Sequence, residues 1–312
     1  MSKNKSKHLI YGCMGLGGAW DGKPISDLDI SIARKAIHAA LESGITVFDH
    51  ADLYKLGKAE KVFGTILKEN PGLRDLIKVQ SKAGISLGSA EGFNVYNSSK
   101  EHLIGQVRQS LKNLNTDYLD LFLIHRPDPL MDPEEIAETF DYLKHEGLVR
   151  RFGVSNMSSR QIEMLQYYCD MPISVNQIQF SLRHAALIEE GVTFNIKGNS
   201  NNLVADLLSY SKLQNVELQA WGALDKGYYL SDTDLPERAK VKALLTKLAE
   251  KYNTNPAAIL IAWILRLPYA FRPIIGSINT MRIRLAAQAI EINLSREDWY
   301  LIWITVRDKK LP

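Results

Sequence analysis

Four side chains in the first 125 residues have the types and order needed to move a proton onto a carbonyl oxygen. Asp49, Lys82 and His125 each close a short apolar run, Val47-Phe48, Ile77 to Gln80 and Leu121 to Ile124 respectively, and Tyr54 follows Asp49 by five residues. A phenol titrates near ~10 and is a poor acid at neutral pH unless a neighbouring cation stabilises the phenolate. Lys82 could supply that cation and Asp49 could hold Lys82. His125 could fix a bound carbonyl oxygen while Tyr54 delivers the proton. Taken singly, Asp49 reads as a turn cap, Lys82 as a rim charge and His125 as a satisfied strand-end histidine. Three successive strand ends with Tyr54 in step favour one joint site.

The elements that must position these residues are legible as alternating short apolar segments and amphipathic stretches, the pattern of βα units on a parallel sheet. Strands are expected to begin near Leu9, Thr46, Ile77, Tyr118, Arg151, Ser174, Glu217 and Phe271. Helices are expected from the Ser26-Asp27 cap to Glu42, over Lys100 to Leu114, from Asp132-Pro133 onward, and over Pro236 to Tyr252 and Pro256 to Leu267. One of the last two is an addition to the basic repeat, and further helices follow the eighth strand. The polar stretch Glu189 to Asn202 reads as a surface loop. The expectation is α/β, a (β/α)8 TIM barrel with extra helices, forming one domain over residues 1–312. In such a barrel the site lies at the carboxyl ends of the strands. The later strand ends are Ser155-Asn156, Gln177, Trp221 and Gly276-Ser277. A doubly wound dinucleotide fold fails because Gly15-x-Gly17 does not run straight into a helix, which starts only near Asp27.

Composition narrows the partners. Of 312 residues 46% are hydrophobic and 23% charged, and 38 basic side chains against 35 acidic ones leave a net charge of +3. Such a mix describes an ordered globular chain. The crowded basic stretches, Lys3 to Lys7 and Arg307 to Lys310, read as solvated tails, so no nucleic-acid partner is expected. The longest apolar run, Ala257 to Leu265, is too short to span a bilayer. Gly12, Gly15, Gly17 and Gly18 break any export signal after the N-terminal lysines. Two cysteines, Cys13 and Cys169, suit a reducing compartment, so a cytoplasmic protein is expected. A metal-dependent hydrolase using Asp49, His50 and His125 lacks convincing further ligands, and no metal is expected.

With these residues in place, the chain resembles the aldo-keto reductases, in a bacterial-type oxidoreductase branch, over nearly its whole length. Gly44-Ile45-Thr46-Val47-Phe48-Asp49-His50-Ala51-Asp52-Leu53-Tyr54 looks like the family's first signature. Gln80-Ser81-Lys82 looks like the segment with the catalytic Lys, and Tyr118 to His125 like the one ending in the catalytic His. The resemblance implies reduction of an aldehyde or ketone by a nicotinamide dinucleotide, with Tyr54 as general acid and Asp49, Lys82 and His125 completing the catalytic set. It also implies that Ser155, Asn156 and Gln177 hold the nicotinamide carboxamide and that Trp221 stacks on the ring, where the family usually has Tyr. Gly222 to Gly227, including Leu224, and Gly276, Ser277 and Asn279 follow strands seven and eight, where barrels bind phosphate. Arg282 matches the arginine that meets the 2′-phosphate, which favours NADPH over NADH. Gly276 stands where many members have Lys, and Ala286 where an Asn lies near the adenine. Trp20 falls where the family lines its substrate pocket. The other function implied by relatives with this barrel is an NADP(H)-binding regulatory subunit with little turnover. A monomer is expected from the family, and the short stretch to Pro312 after the last helix suggests an open, permissive pocket.

Overall fold

The computed structural model describes residues 9–88, 92–193, 196, 206–232 and 235–312. Its strands are β1 (Ile10–Gly12), β2 (Val47–Asp49), β3 (Lys78–Ala83), β4 (Ile85–Ser86), β5 (Val95–Tyr96), β6 (Leu121–Ile124), β7 (Phe152–Ser155), β8 (Ile173–Gln179), β9 (Glu217–Trp221) and β10 (Phe271–Ile275). Eight of them close a barrel in the order β1-β10-β9-β8-β7-β6-β3-β2, and β4 pairs antiparallel with β5 in a separate two-stranded sheet. The fold is a (β/α)8 barrel. Every expected barrel strand is present, that near Tyr118 beginning at Leu121 with Leu119 making an isolated parallel bridge to Val149. Among the described residues no helix is long and apolar enough to cross a membrane.

By its contacts the chain divides into two compact units. The larger comprises Ile10–Gln177 and Gly276–Thr280. Its helices are α1 (Asp27–Glu42), α2 (Lys58–Glu69), α3 (Leu73–Leu76), α4 (Lys100–Leu114), α5 (Pro133–His145) and α6 (Ser159–Tyr168). Sequence dictates their starts. Ser26 caps α1 by accepting from the Asp29 N–H while the Asp29 carboxylate accepts from the Ser26 N–H. Asp132 caps α5 with Pro133 in its first turn, and Ser158 with Gln161 forms the same reciprocal cap on α6. The buried face of α1 is Ala33, Ala36, Ile37, Ala39 and Ala40, small enough to bring the helix close. Inside, Leu121, Leu123 and Val175 form a buried cluster. Each such aliphatic side chain contributes about 1.5–3 kcal/mol of burial. Gly153 is required there, since a Cβ would meet Leu123 Cδ2 and the Val175 carbonyl at 2.6 Å. Gly64 of α2 is likewise forced by the Asn113 carbonyl of α4, only 2.1 Å from an added Cβ.

The smaller unit comprises Met1–Leu9, Ile178–Ile275 and Met281–Pro312. Its helices are α7 (Ala186–Val192), α8 (Asp206–Leu213), α9 (Pro236–Lys251), α10 (Pro256–Leu265), α11 (Thr280–Ala287), which begins at the end of the larger unit, and α12 (Arg296–Arg307). Its core is aromatic: Phe180 stacks on Phe271 at 4.7 Å, and Trp263 and Trp299 lie 4° from parallel at 5.1 Å. Their indoles exchange hydrogen bonds, Trp263 Nε1 donating to the Trp299 carbonyl and Trp299 Nε1 to that of Trp263.

Two sequence expectations change here. The Glu189 to Asn202 stretch is helical at its start, since α7 runs to Val192; of the rest, residues 194–195 and 197–202 lie outside the described residues. Arg307 is no solvated tail: it ends α12 and pairs with Glu189 at 2.5 Å, with its side chain 12% exposed. The basic stretch Lys3 to Lys7 lies outside the described residues.

Candidate active site

Parallel register assembles the core of the site. Asp49 at the end of β2 lies opposite Gln80 of β3, and the period of two places Lys82 on the same face as Gln80. The Lys82 ammonium donates to both Asp49 carboxylate oxygens, at 2.7 and 2.8 Å, and to the His50 carbonyl at 2.6 Å. It also lies 5.1 Å from the centre of the Tyr54 ring, close enough to act on the phenol through space. His125, just beyond β6, meets Tyr54 edge-on at 6.2 Å between centroids. All four expected residues are thus brought together within the larger unit.

Electrostatics bias the protonation of Lys82, Tyr54 and His125. Burial disfavours the Lys82 cation, but Asp49 and Tyr54 outweigh it and hold its pKa above the usual lysine range. Burial pushes the Tyr54 phenol up, with Lys82 pulling the other way. Burial, then Lys82 and Arg126, push His125 down to about 3, so it is a neutral imidazole near pH 7, and its Nδ1 is buried without a partner. A neutral imidazole, a phenol and an ammonium are groups that can donate to an oxygen on which negative charge develops.

Beside them, Ser155 at the end of β7 faces Gln177 of β8 in register. Ser155 Oγ donates to the Gln177 carbonyl at 2.8 Å and accepts from Asn156 Nδ2 at 2.7 Å. Asn156 itself has a left-handed backbone, φ 57°. The Gln177 side chain turns to Asp49, with Nε2 donating to Oδ1 at 2.8 Å. A hydroxyl and two amides can both donate to and accept from a planar primary amide such as the carboxamide of nicotinamide. In the same unit the Ser277 carbonyl accepts from the Tyr11 hydroxyl at 2.9 Å, its Oγ accepts from the Asn279 N–H, and Gly276 is exposed beside them. Trp20 is 47% exposed on a loop fastened by Asp21, which pairs with Lys58 at 2.7 Å. The Lys55 ammonium lies 5.7 Å from the centre of the Trp20 ring.

The smaller unit carries the remaining expected residues. Trp221 ends β9, and its carbonyl accepts from the Phe180 N–H. Gly222 is exposed with φ 70°, and its carbonyl accepts from the Asp225 N–H in the turn that holds Leu224. Arg282 is exposed on α11.

Several groups escaped the sequence reading. Gln80 donates to Asp49 Oδ1 at 2.6 Å. Its signal was its place two residues before Lys82, hence on the same face. On the opposite face of β3, Ser81 donates to buried Glu60 of α2 at 2.7 Å. Cys13 lies close enough to feel Asp49 and Lys82, and burial raises its thiol. His50 is fully buried against Phe63, at 4.7 Å, rather than directed to Asp49 and His125 as a metal site would need. Among the described residues no three of His, Cys, Asp and Glu gather as a metal-binding group.

The aldo/keto reductase family model matches residues 8–304. The uncharacterized oxidoreductase YcsN of Bacillus subtilis is 36% identical over 280 residues, covering 88% of this chain and 88% of its own. The 6-dehydroglucose reductase of Agrobacterium fabrum is 31% identical, covering 99% of this chain and 97% of its own. Among solved structures, an aldo-keto reductase of Klebsiella pneumoniae in complex with NADPH superposes with a TM-score of 0.71 at 24% identity, covering 94% of this chain and 89% of its own. That likeness is one of fold, whereas the family match and the two relatives establish kinship. This chain belongs to the aldo/keto reductase family and is an NAD(P)H-dependent carbonyl-reducing enzyme.

Proposed function

We propose that the protein reduces aldehydes or ketones to alcohols with NADPH, and that Tyr54 is the general acid. When bound, NADPH supplies a hydride to the carbonyl carbon. Neutral His125 donates to the carbonyl oxygen and fixes its direction. Tyr54 gives its proton to the alkoxide as it forms, and Lys82 stabilises the phenolate left behind. Asp49 holds the ammonium in place. The observation that best supports this is the buried Lys82 ammonium held by Asp49 at 2.7 Å and lying 5.1 Å from the centre of the Tyr54 ring, with His125 edge-on to that ring.

Ser155, Asn156 and Gln177 would bind the carboxamide, Trp221 would stack on the nicotinamide, and Gly222, Leu224, Gly276, Ser277 and Asn279 would serve the phosphates. Arg282, a planar donor fork, suits the 2′-phosphate and favours NADPH over NADH. Trp20 would line the substrate side. We take residues 1–312 as one barrel domain acting as a monomer. Two unpaired buried cysteines support a cytoplasmic setting.

The test is turnover of a carbonyl panel, 6-dehydroglucose included because a relative is named for it, with NADPH and NADH side by side. Tyr54→Phe should keep NADPH binding and lose about 10²-fold or more in turnover. Undiminished turnover would reject Tyr54 as the acid. Tight NADPH binding with no consumption on any substrate would turn the reading to a regulatory subunit.

A further inference from the structure

Asp49 carries more hydrogen bonds than its partnership with Lys82 requires. Its Oδ1 accepts from Gln80 Nε2 at 2.6 Å, Gln177 Nε2 at 2.8 Å and Lys82 Nζ at 2.7 Å, while Oδ2 accepts from Lys82 at 2.8 Å. Gln80 is 2% exposed and faces Asp49 directly across the β2–β3 ladder. An ammonium has three N–H donors. Here they meet the two Asp49 carboxylate oxygens and the His50 carbonyl, and the Tyr54 ring centre lies 5.1 Å from the same nitrogen. How much of its charge is left to act on Tyr54 therefore depends on how strongly Asp49 draws it, and a carboxylate that already accepts from two amides draws it less.

We propose that Gln80 is a positioning residue of this site: its amide, together with that of Gln177, loads Oδ1 of Asp49 so that Lys82 is left facing Tyr54. The inference rests on Tyr54 being the general acid. Without the Gln80 amide, Asp49 takes a larger share of the ammonium, the phenolate loses stabilisation, and Tyr54 ionises at higher pH. Other titratable groups near enough to interact with Lys82 through space are Cys13 and His125, with Arg126 beyond His125, and, from the opposite face of the strands and the turn after β2, His50, Glu60 and Asp52. They are unchanged by the substitution, so a difference between variant and parent reports on Gln80.

The experiment compares the parent protein with Gln80→Met and with Gln80→Asn, whose shorter amide falls short of Asp49 and which remains available if the methionine variant does not fold. Two quantities are followed against pH: the rate of 4-nitrobenzaldehyde reduction by NADPH, and the near-ultraviolet phenolate absorbance taken as a difference from Tyr54→Phe, which needs no turnover. The expected result is that the Tyr54 ionisation moves up by about half a unit or more in both readouts, with NADPH affinity within twofold of the parent. Superimposable profiles, whatever the loss of rate, would leave Gln80 a packing residue and overturn the proposal. If Tyr54→Phe turned over like the parent, the acid assignment would fall. If it were dead but the Gln80 profiles coincided, only the role of Gln80 would fall.

Discussion

Two faces of the same pair of strands treat charge in opposite ways. Asp49, Gln80 and Lys82 share one face of β2 and β3, where every donor finds an acceptor and where, against the cost of burial, Asp49 and Tyr54 hold the Lys82 pKa above the usual lysine range. His50, one residue from Asp49, and Ser81, one residue from Lys82, turn instead toward α2. There burial suppresses charge: His50 is pushed down to about 3, Glu60 is raised, and Asp52 in the following turn is pushed up to about 7 by burial and by Glu60. Neighbours in sequence occupy unlike electrostatic worlds because a strand alternates its sides. Burial alone decides neither protonation nor stability; the partners do.

The comparison breaks hardest at Lys82. Lys82→Met leaves a buried carboxylate without its cation and should destabilise the protein by about 3–5 kcal/mol in urea unfolding while abolishing turnover. A much smaller stability loss would mean that the two glutamine amides suffice for Asp49.

On the opposite face, Asp52 gives a pH signature. Its folded pKa, about 7, lies above the unfolded value of 3.8, so the folded state binds the extra proton. The resulting stabilisation is full below pH 3.8 and is lost as pH rises through 7. Asp52→Asn has no such loss. From roughly pH 5 to pH 8, its stability relative to the parent should therefore improve by about 2 kcal/mol. A pH-independent difference in denaturation midpoints would place the Asp52 carboxyl in an ordinary environment.

The smallest effect is at His50, whose two ring nitrogens are buried without partners. His50→Leu removes unsatisfied polar groups and should raise stability by about 1 kcal/mol. Its turnover should stay within a few fold, since Lys82 uses only the His50 backbone carbonyl. A lower melting temperature would argue that the imidazole has a bound partner.

How much of this was legible depended on whether a physical signal was local. Strand ends were readable because apolar runs stop where a polar residue faces the mouth, and that brought Asp49, Lys82 and His125 onto one list. Helix starts at Ser26 and Asp132 followed from capping side chains. By contrast α2 begins after Gly57 at φ 80°, with no side-chain cap, and Lys55 and Leu56 before it are also left-handed, so nothing in the residue types announces it. The β4–β5 hairpin was missed because Ile85, Val95 and Tyr96 alternate too briefly to stand out, the last two being exposed. Gln80 went unremarked since a neutral amide has no chemistry of its own; its importance lies in register, which no single strand reveals.

The paired indoles of Trp263 and Trp299 bear on how the final helix belongs to its unit. Each ring is at once a stacking surface and a donor to the other residue's main chain, so the join between α10 and α12 is symmetric and cannot be half undone. Peeling α12 away strips both N–H groups and both ring faces together. That makes the first turn of α12 a clasp inside the cooperative core rather than trim upon it.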